Sequence, residues 1–171
     1  MADAETLFGQ HRVRVFRYLC RIVGHDEAHD LTQEVFLRVT RAAVPDAPDS
    51  GRRAWVFRIA RNLALNHVRD ASHRRAVVMP VDAASPATQE LAAAIQQALD
   101  GLAGIDRDVF LLRESAGHDY GEIAEACDLT RDAVRARLKR TRQELRDALG
   151  GHLREHRHRP VSFGVREGED T

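Results

Sequence analysis

"YGEIAEACDLTRDAVRARLKRTRQEL" runs from Tyr120 to Leu145. It holds two apolar stripes, a short polar break and a dense run of arginine. Asp119 followed by Glu122 three residues later is a capping-box-like start for the first helix. Ile123, Ala124 and Cys127 form the inner side of that helix, and Leu129 is placed to plug the joint after it. Thr130 suits an N-cap, and Asp132 suits the positive end of the next helix. Val134, Leu138, Thr141, Leu145 and Ala148 recur at steps of three and four, which predicts a buried stripe. Two helices joined by so short a turn make a helix-turn-helix.

The charge on the second helix gives that pattern a direction. Arg135, Lys139, Arg142 and Arg146 fall on a face beside the buried stripe, with Arg137 and Arg140 on the other side. Arg131, Arg135 and Lys139 stand early enough to reach base edges in a major groove, and the later arginines suit phosphates. A solvated basic helix would show the same charges. The capping box, short turn, plug leucine and basic face together favour a DNA reader over that alternative.

Composition sets the frame around this stretch. The chain has 171 residues, which suits one domain or two small ones. Runs of alternating β-branched residues are nearly absent, while alanine, leucine, arginine and glutamate dominate, so the expected class is all-α. The zero net charge hides strong segregation. Residues 51–75 carry seven arginines against one acid, and residues 129–149 carry seven basic residues against three acids. Between them, residues 76–128 carry ten acids against Arg107 and Arg113. Each basic block can attract phosphate. The acidic middle can repel DNA, fold over a basic block or meet a basic partner, and charge alone does not choose. The N-terminus has no secretory signal, and no apolar run approaches the roughly 20 residues of a membrane span. A cytosolic protein without membrane insertion is expected. Cys20 and Cys127 lie far apart within amphipathic segments and read as buried thiols.

Periodicity predicts a first helix over Ala4 to about Val23 and a second from near Asp26 to about Ala43. A third is predicted from about Arg53 to Arg69, with Trp55, Ile59, Leu63 and Asn66 along one side. Residues 76–88 read as a linker, with two prolines among small residues. Helical spacing resumes at Leu91. Gly104 is expected to close that helix and Asp106 to cap the next, which Gly117 ends. Gly150 and Gly151 are expected to stop the last helix, leaving a disordered tail over 151–171.

Two further helices carry candidate sites. In the second, Ala28, Leu31, Val35, Val39 and Ala42 form the core stripe. Leu37, and with it Phe36, falls off that stripe, and Leu37 joins Asp30, Gln33, Glu34 and Arg41. Such a mixed face suits a protein partner, although a single exposed leucine needs no explanation. The cluster His25, Asp26, His29, Asp30 resembles half of a phosphohydrolase metal site, but no matching ligands follow, and a solvated helix start fits better. The tail histidines His152, His156 and His158 make a poor site because arginines interrupt them. No catalytic residue, metal or cofactor is expected. In the third helix Asn62 and Asn66 lie one turn apart near Arg58, Arg61 and Arg69. Asparagine can read a base edge, and Trp55 or Phe57 either packs inside or stacks on an unpaired base.

These segments together resemble the extracytoplasmic-function sigma factors, group IV of the sigma-70 family. "DLTQEVFLRV" is similar to the family's core-polymerase-binding helix, and "AWVFRIARNLALNHVR" to the helix that melts and reads the −10 element. The opening stretch is similar to the helix-turn-helix that reads the −35 element. The resemblance implies sigma domain 2 over 1–75, a flexible linker over 76–88 and sigma domain 4 over 89–150. It implies a bacterial, cytoplasmic partner of core RNA polymerase, docking on the largest-subunit clamp helices and the second-largest-subunit flap. It also implies promoter DNA and an anti-sigma factor as partners. By position, Asp30, Gln33, Glu34, Leu37 and Arg41 would meet polymerase. Trp55, Arg58, Arg61, Asn62, Asn66 and Arg69 would lie at the −10 element. Arg131, Arg135, Ala136, Arg137, Lys139, Arg140 and Arg142 would lie at the −35 element. Three positions depart from the family. "DAPDSG" replaces an aromatic-arginine-glycine stretch before the third helix, and Asp128 stands where the turn usually has glycine. Ala133 and Ala136 replace the usual threonine and serine, which removes two hydroxyl contacts to DNA. A stand-alone helix-turn-helix regulator, binding DNA as a dimer, is the alternative reading.

Overall fold

The computed structural model describes residues 4–70 and 86–157. All elements in those residues are helices: α1 (Ala4–Val23), α2 (His25–Arg41), α3 (Asp49–Asp70), α4 (Pro86–Asp100), α5 (Gly104–Glu114), α6 (Tyr120–Cys127) and α7 (Arg131–Arg157). They form two clusters, α1–α3 and α4–α7. Within the first cluster α1 lies against both α2 and α3, and α3 also packs across onto α6. The buried apolar side chains of both clusters therefore join into one continuous core.

Local sequence explains most boundaries. α1 buries Leu7, Val15, Tyr18 and Leu19 at helical spacing. Gly24 ends it at φ 93°, a left-handed conformation that a side chain resists, and α2 starts at the next residue. α2 buries Ala28, Val35, Phe36 and Val39. Two expectations fail here: Ala42 is an exposed residue in extended conformation just past the helix. Phe36 is buried because it meets Phe8 of α1 edge-to-face at 4.9 Å. α3 begins at Asp49, four residues before the predicted start, in the "DAPDSG" stretch. It buries Ala54, Val56, Phe57, Ala60, Leu63 and Ala64, while Trp55 and Ile59 are half-buried and Asn66 is exposed. The single predicted stripe fails because α3 is covered from two sides, by α1 and α2 on one and by α6 on the other.

The second cluster corrects three stops. α4 begins at Pro86, inside the predicted linker, with proline at the first helical position where its missing N–H costs nothing. The rest of that linker, through residue 85, lies outside the described residues. Gly104 is the first residue of α5 rather than a stop, and Asp106 does not cap it. Asp106 is buried and accepts from Arg137 Nη1 at 2.8 Å and Arg140 Nη2 at 3.3 Å. Nor do Gly150 and Gly151 end α7, which continues to Arg157. A helical glycine costs about 1 kcal/mol, and the strong helix formers on either side outweigh two of them. Of the predicted disordered tail, residues 151–157 are thus helical, and 158–171 lie outside the described residues.

Asp128 carries the turn between α6 and α7 at φ 54° and ψ 47°. The Asp128 N–H bonds to Ala124 O, and the Leu129 N–H donates to the same carbonyl at 2.8 Å, so the left-handed residue closes the helix end. Its carboxylate offers little in return, standing 3.5 Å from Arg58 at an exposed position. Asp128→Gly is expected to raise stability by up to about 1 kcal/mol, read as a higher urea midpoint for the full chain. A lower midpoint would show that the carboxylate, not the backbone, governs this position.

Candidate nucleic-acid interface

The helix-turn-helix is assembled as the sequence reading expects. Asp119 Oδ1 accepts from the Glu122 N–H at 2.9 Å, and Glu122 Oε2 accepts from the Asp119 N–H at 2.8 Å, a complete capping box. Accepting that backbone proton holds the Asp119 carboxyl below its ordinary pKa. Thr130 Oγ1 accepts from the Ala133 N–H at 3.2 Å. Val134, Leu138, Thr141 and Leu145 are buried, but Ala148 is exposed because the helix has by then run past its neighbours.

The cations of α7 divide into two groups. Arg131, Arg135, Ala136 and Lys139 are exposed along the free face, and Arg135 makes only a 3.4 Å contact to its neighbour Asp132. Arg137 is turned inward, its side chain 29% exposed, toward Asp106. Arg140 shares that carboxylate from a more exposed position, and Arg142 Nη2 donates to Glu114 Oε1 at 2.8 Å. Sequence reading missed two residues at the free face. Arg113 and Tyr120 line an open cleft of about 390 Å³ together with Asp119, Gly121, Arg131 and Arg135. The Arg113 guanidinium lies 5.3 Å from the Tyr120 ring centre, and its Nη1 donates to His118 O at 2.7 Å. A Cβ on Gly121 would stand 2.8 Å from Arg131 Nη2, so only glycine lets that arginine lie over the first turn of α6. Nothing in local periodicity brings Arg113 of α5 to this cleft.

The α3 candidates also separate. Asn62 and Asn66 are exposed one turn apart, and Arg69 Nη2 donates to Asn66 Oδ1 at 3.1 Å. Trp55 is half-buried against the core. Arg58 donates to Glu125 O, and Arg61 Nε donates to Asp108 Oδ2 at 2.7 Å. Arg53, not singled out from sequence, grips Glu122 with two nitrogens, Nε at 2.8 Å. These bonds cross from one helical cluster to the other. Tyr18 Oη stands 3.5 Å from Asp108 Oδ1, so one carboxylate of α5 serves both α1 and α3. Burial pushes the Asp108 carboxyl above its usual pKa while Arg61 draws it back down.

On α2, Asp30, Gln33 and Arg41 are exposed, and Glu34 pairs with Arg38 at 2.7 Å. Leu37 is 48% exposed beside them, so the mixed polar and apolar face is present. His25 and His29 stack around Phe16, with centroids 5.4 and 4.5 Å from its ring. Among the described residues no group of three or more His, Cys, Asp or Glu is placed to hold a metal. Nor, among them, is any helix long and apolar enough to cross a membrane. Cys20 and Cys127 are both buried free thiols.

The chain carries a helix-turn-helix on one helical cluster and a separate arginine- and asparagine-bearing helix on the other. The family models agree: Sigma-70 region 2 matches residues 7–74, and Sigma-70, region 4 matches residues 92–145. The chain is 35% identical to the ECF RNA polymerase sigma factor SigE of Mycolicibacterium smegmatis, over 91% of this chain and 65% of that protein. It is 30% identical to the RNA polymerase sigma-H factor of Pseudomonas aeruginosa, over 82% of this chain and 86% of that one. The chain thus spans just under two thirds of the first relative's length. Its fold is shared with the sigma factor RpoE of Bartonella quintana, solved in complex with the anti-sigma factor NepR. That likeness has a TM-score of 0.66 and 19% identity, over 85% of this chain and 96% of that one. The chain belongs to the extracytoplasmic-function (ECF, group IV) sigma factors of the sigma-70 family. Sigma factors are not enzymes.

Proposed function

We propose that this chain binds core RNA polymerase in the bacterial cytoplasm and directs promoter-specific initiation by reading a −10 and a −35 element. One observation carries the reading: two exposed faces suited to DNA stand on different helical clusters of one chain. Arg131, Arg135, Ala136 and Lys139 would read the −35 major groove, with Arg140 and Arg142 at phosphates and Arg137 packed behind them. Asn62 and Asn66 would read the −10 element, with Trp55, Arg58, Arg61 and Arg69 around them. The α2 face of Asp30, Gln33, Glu34, Leu37 and Arg41 would dock on the largest-subunit clamp helices, and the second cluster on the flap of the second-largest subunit. The complex of the Bartonella quintana protein with an anti-sigma factor supports a partner of that kind here.

Transcription reconstituted from core polymerase, this chain and a promoter library tests the reading. Initiation should depend on the chain and on two spaced elements. Tight binding of the free chain to a palindromic operator, with no promoter-specific initiation, would overturn it in favour of a stand-alone regulator. Within the same assay, Arg135→Ala with Lys139→Ala should weaken use of the −35 element by about tenfold or more. Leu37→Glu should weaken polymerase binding by roughly thirtyfold while leaving the DNA sequence preference unchanged.

A further inference from the structure

We propose that Asp106 is a specificity-determining residue of the −35 reader: it holds Arg137 and Arg140 against α5, so that α7 offers DNA one cationic flank rather than two. This rests on the function proposed above and adds to it the residue that sets how selective the reader is. Cations lie on both sides of the buried stripe of α7. Arg131, Arg135 and Lys139 follow one another at steps of four, all exposed. On the other side Arg137 Nη1 donates to Asp106 Oδ1 at 2.8 Å. Arg140 Nη2 lies 3.3 Å from both oxygens of the same carboxylate. Asp106 stands in the first turn of α5, and α5 and α7 belong to the same cluster. Arginine grips carboxylates and phosphates through the same fork of N–H donors, so Asp106 competes with DNA for both side chains.

Burial makes the placement informative. Asp106 is buried, and a carboxylate taken out of water adds little stability that an apolar side chain would not. Its two partners differ in reach. The Arg137 side chain is largely covered and fixes the carboxylate between α5 and α7, while that of Arg140 is 55% exposed. Once released, Arg140 can reach a phosphate. Such contacts hold a protein on DNA without reading its sequence. With cations free on both flanks, α7 has two rolls in the major groove of comparable electrostatic gain. Only one of them turns Arg131, Arg135 and Lys139 to the base edges. Offsetting the charge of Arg137 and Arg140 removes the gain from the other roll. Asp106 thus acts by weakening the wrong docking, without touching DNA itself.

Fluorescence anisotropy of a short mixed-sequence duplex with the full chain tests this without polymerase. Asp106→Asn keeps the shape of the side chain and removes its charge. It should tighten duplex binding about tenfold at roughly 0.1 M salt, and steepen the salt dependence by about one counter-ion. Adding Arg140→Gln should abolish most of that gain, whereas Arg140→Gln alone should cost less than about threefold. In transcription by polymerase carrying this chain, Asp106→Asn should narrow the difference between preferred and disfavoured −35 sequences by about tenfold. Unchanged duplex binding in Asp106→Asn would overturn the inference, and so would equal costs of Arg140→Gln in the two backgrounds. Tighter duplex binding with an unaltered −35 preference would overturn the specificity role. If Asp106→Asn folds poorly by circular dichroism, Arg140→Gln alone decides. A loss of about tenfold there would mean that Arg140 already holds a phosphate and that Asp106 does not restrain it. A parent chain that binds duplex but directs no initiation would count against the proposed function alone.

Discussion

Phe57→Ala is expected to destabilise the full chain by about 3–5 kcal/mol. The side chain is completely buried on α3. Its ring meets Tyr18 of α1 at 5.8 Å and 67°, and His118 before α6 at 4.2 Å and 79°. Both are edge-on aromatic contacts that add to the value of the buried area. The cavity left by alanine would be walled by both clusters, so neither could relax to fill it alone. Truncating Leu138 should fall in a similar range, about 2–5 kcal/mol, but with a different distribution. Leu138 is buried on α7, within the second cluster. Urea unfolding followed by the fluorescence of Trp55 and by Cys127 alkylation separates the cases. Phe57→Ala should shift both probes together, whereas Leu138→Ala should shift the thiol more than the tryptophan. A loss below about 1 kcal/mol for Phe57→Ala, against the usual cost of such a cavity, would mean that the two clusters do not share a core.

Sequence reading reached the helix-turn-helix nearly complete because its signals are local. The capping box needs only Asp119 and Glu122, the turn only Asp128 and Leu129, and the stripe only a step of three or four. The same holds for α1, whose predicted range matches the helix. The acids Asp106, Asp108 and Glu122 are different. In sequence Asp106 reads as a cap and Glu122 as the far member of a capping box, while nothing local marks Asp108. In the fold each is a buried counter-charge for arginines that are 31, 47 and 69 positions away. No local period encodes such pairs. The segregation of charge along the chain did anticipate them in bulk, since an acidic middle between basic blocks could fold over one. The structure selects that outcome. It also explains why α3 lacked one clean apolar stripe: part of its polar flank is covered by another helical cluster.

His118 is a further residue that no local pattern marks, between Gly117 and the capping Asp119. Yet Gly117, at φ 71°, turns the chain so that the His118 N–H donates to Leu112 O at 3.0 Å and the ring is swallowed whole. Phe57 lies against it from α3, with Arg53 of α3 and His11 of α1 also acting on its charge. Glu122 Oε2 of α6 is 3.3 Å from Nδ1 but poorly aligned for a hydrogen bond. Burial outweighs the attraction of Glu122, and the His118 pKa is pushed down from 6.5 to about 4. Burial and Arg53 lower His11 as well. The folded chain therefore holds these imidazoles neutral, while an unfolded chain binds protons at ordinary values. Above about pH 6.5 both states are neutral there, and the fold loses nothing. Between 6.5 and about 4 the unfolded state takes up protons that the folded state refuses, so stability falls as pH falls. For His118 alone the full penalty is about 3 kcal/mol, reached near pH 4. Asp108, whose pKa is raised by burial, works in the opposite sense as its own carboxyl begins to protonate. The urea midpoint of the full chain should fall from about pH 6.5 downward, and His118→Phe should flatten that profile. A profile that stays flat in the parent chain would show that His118 accepts its proton without cost to the fold.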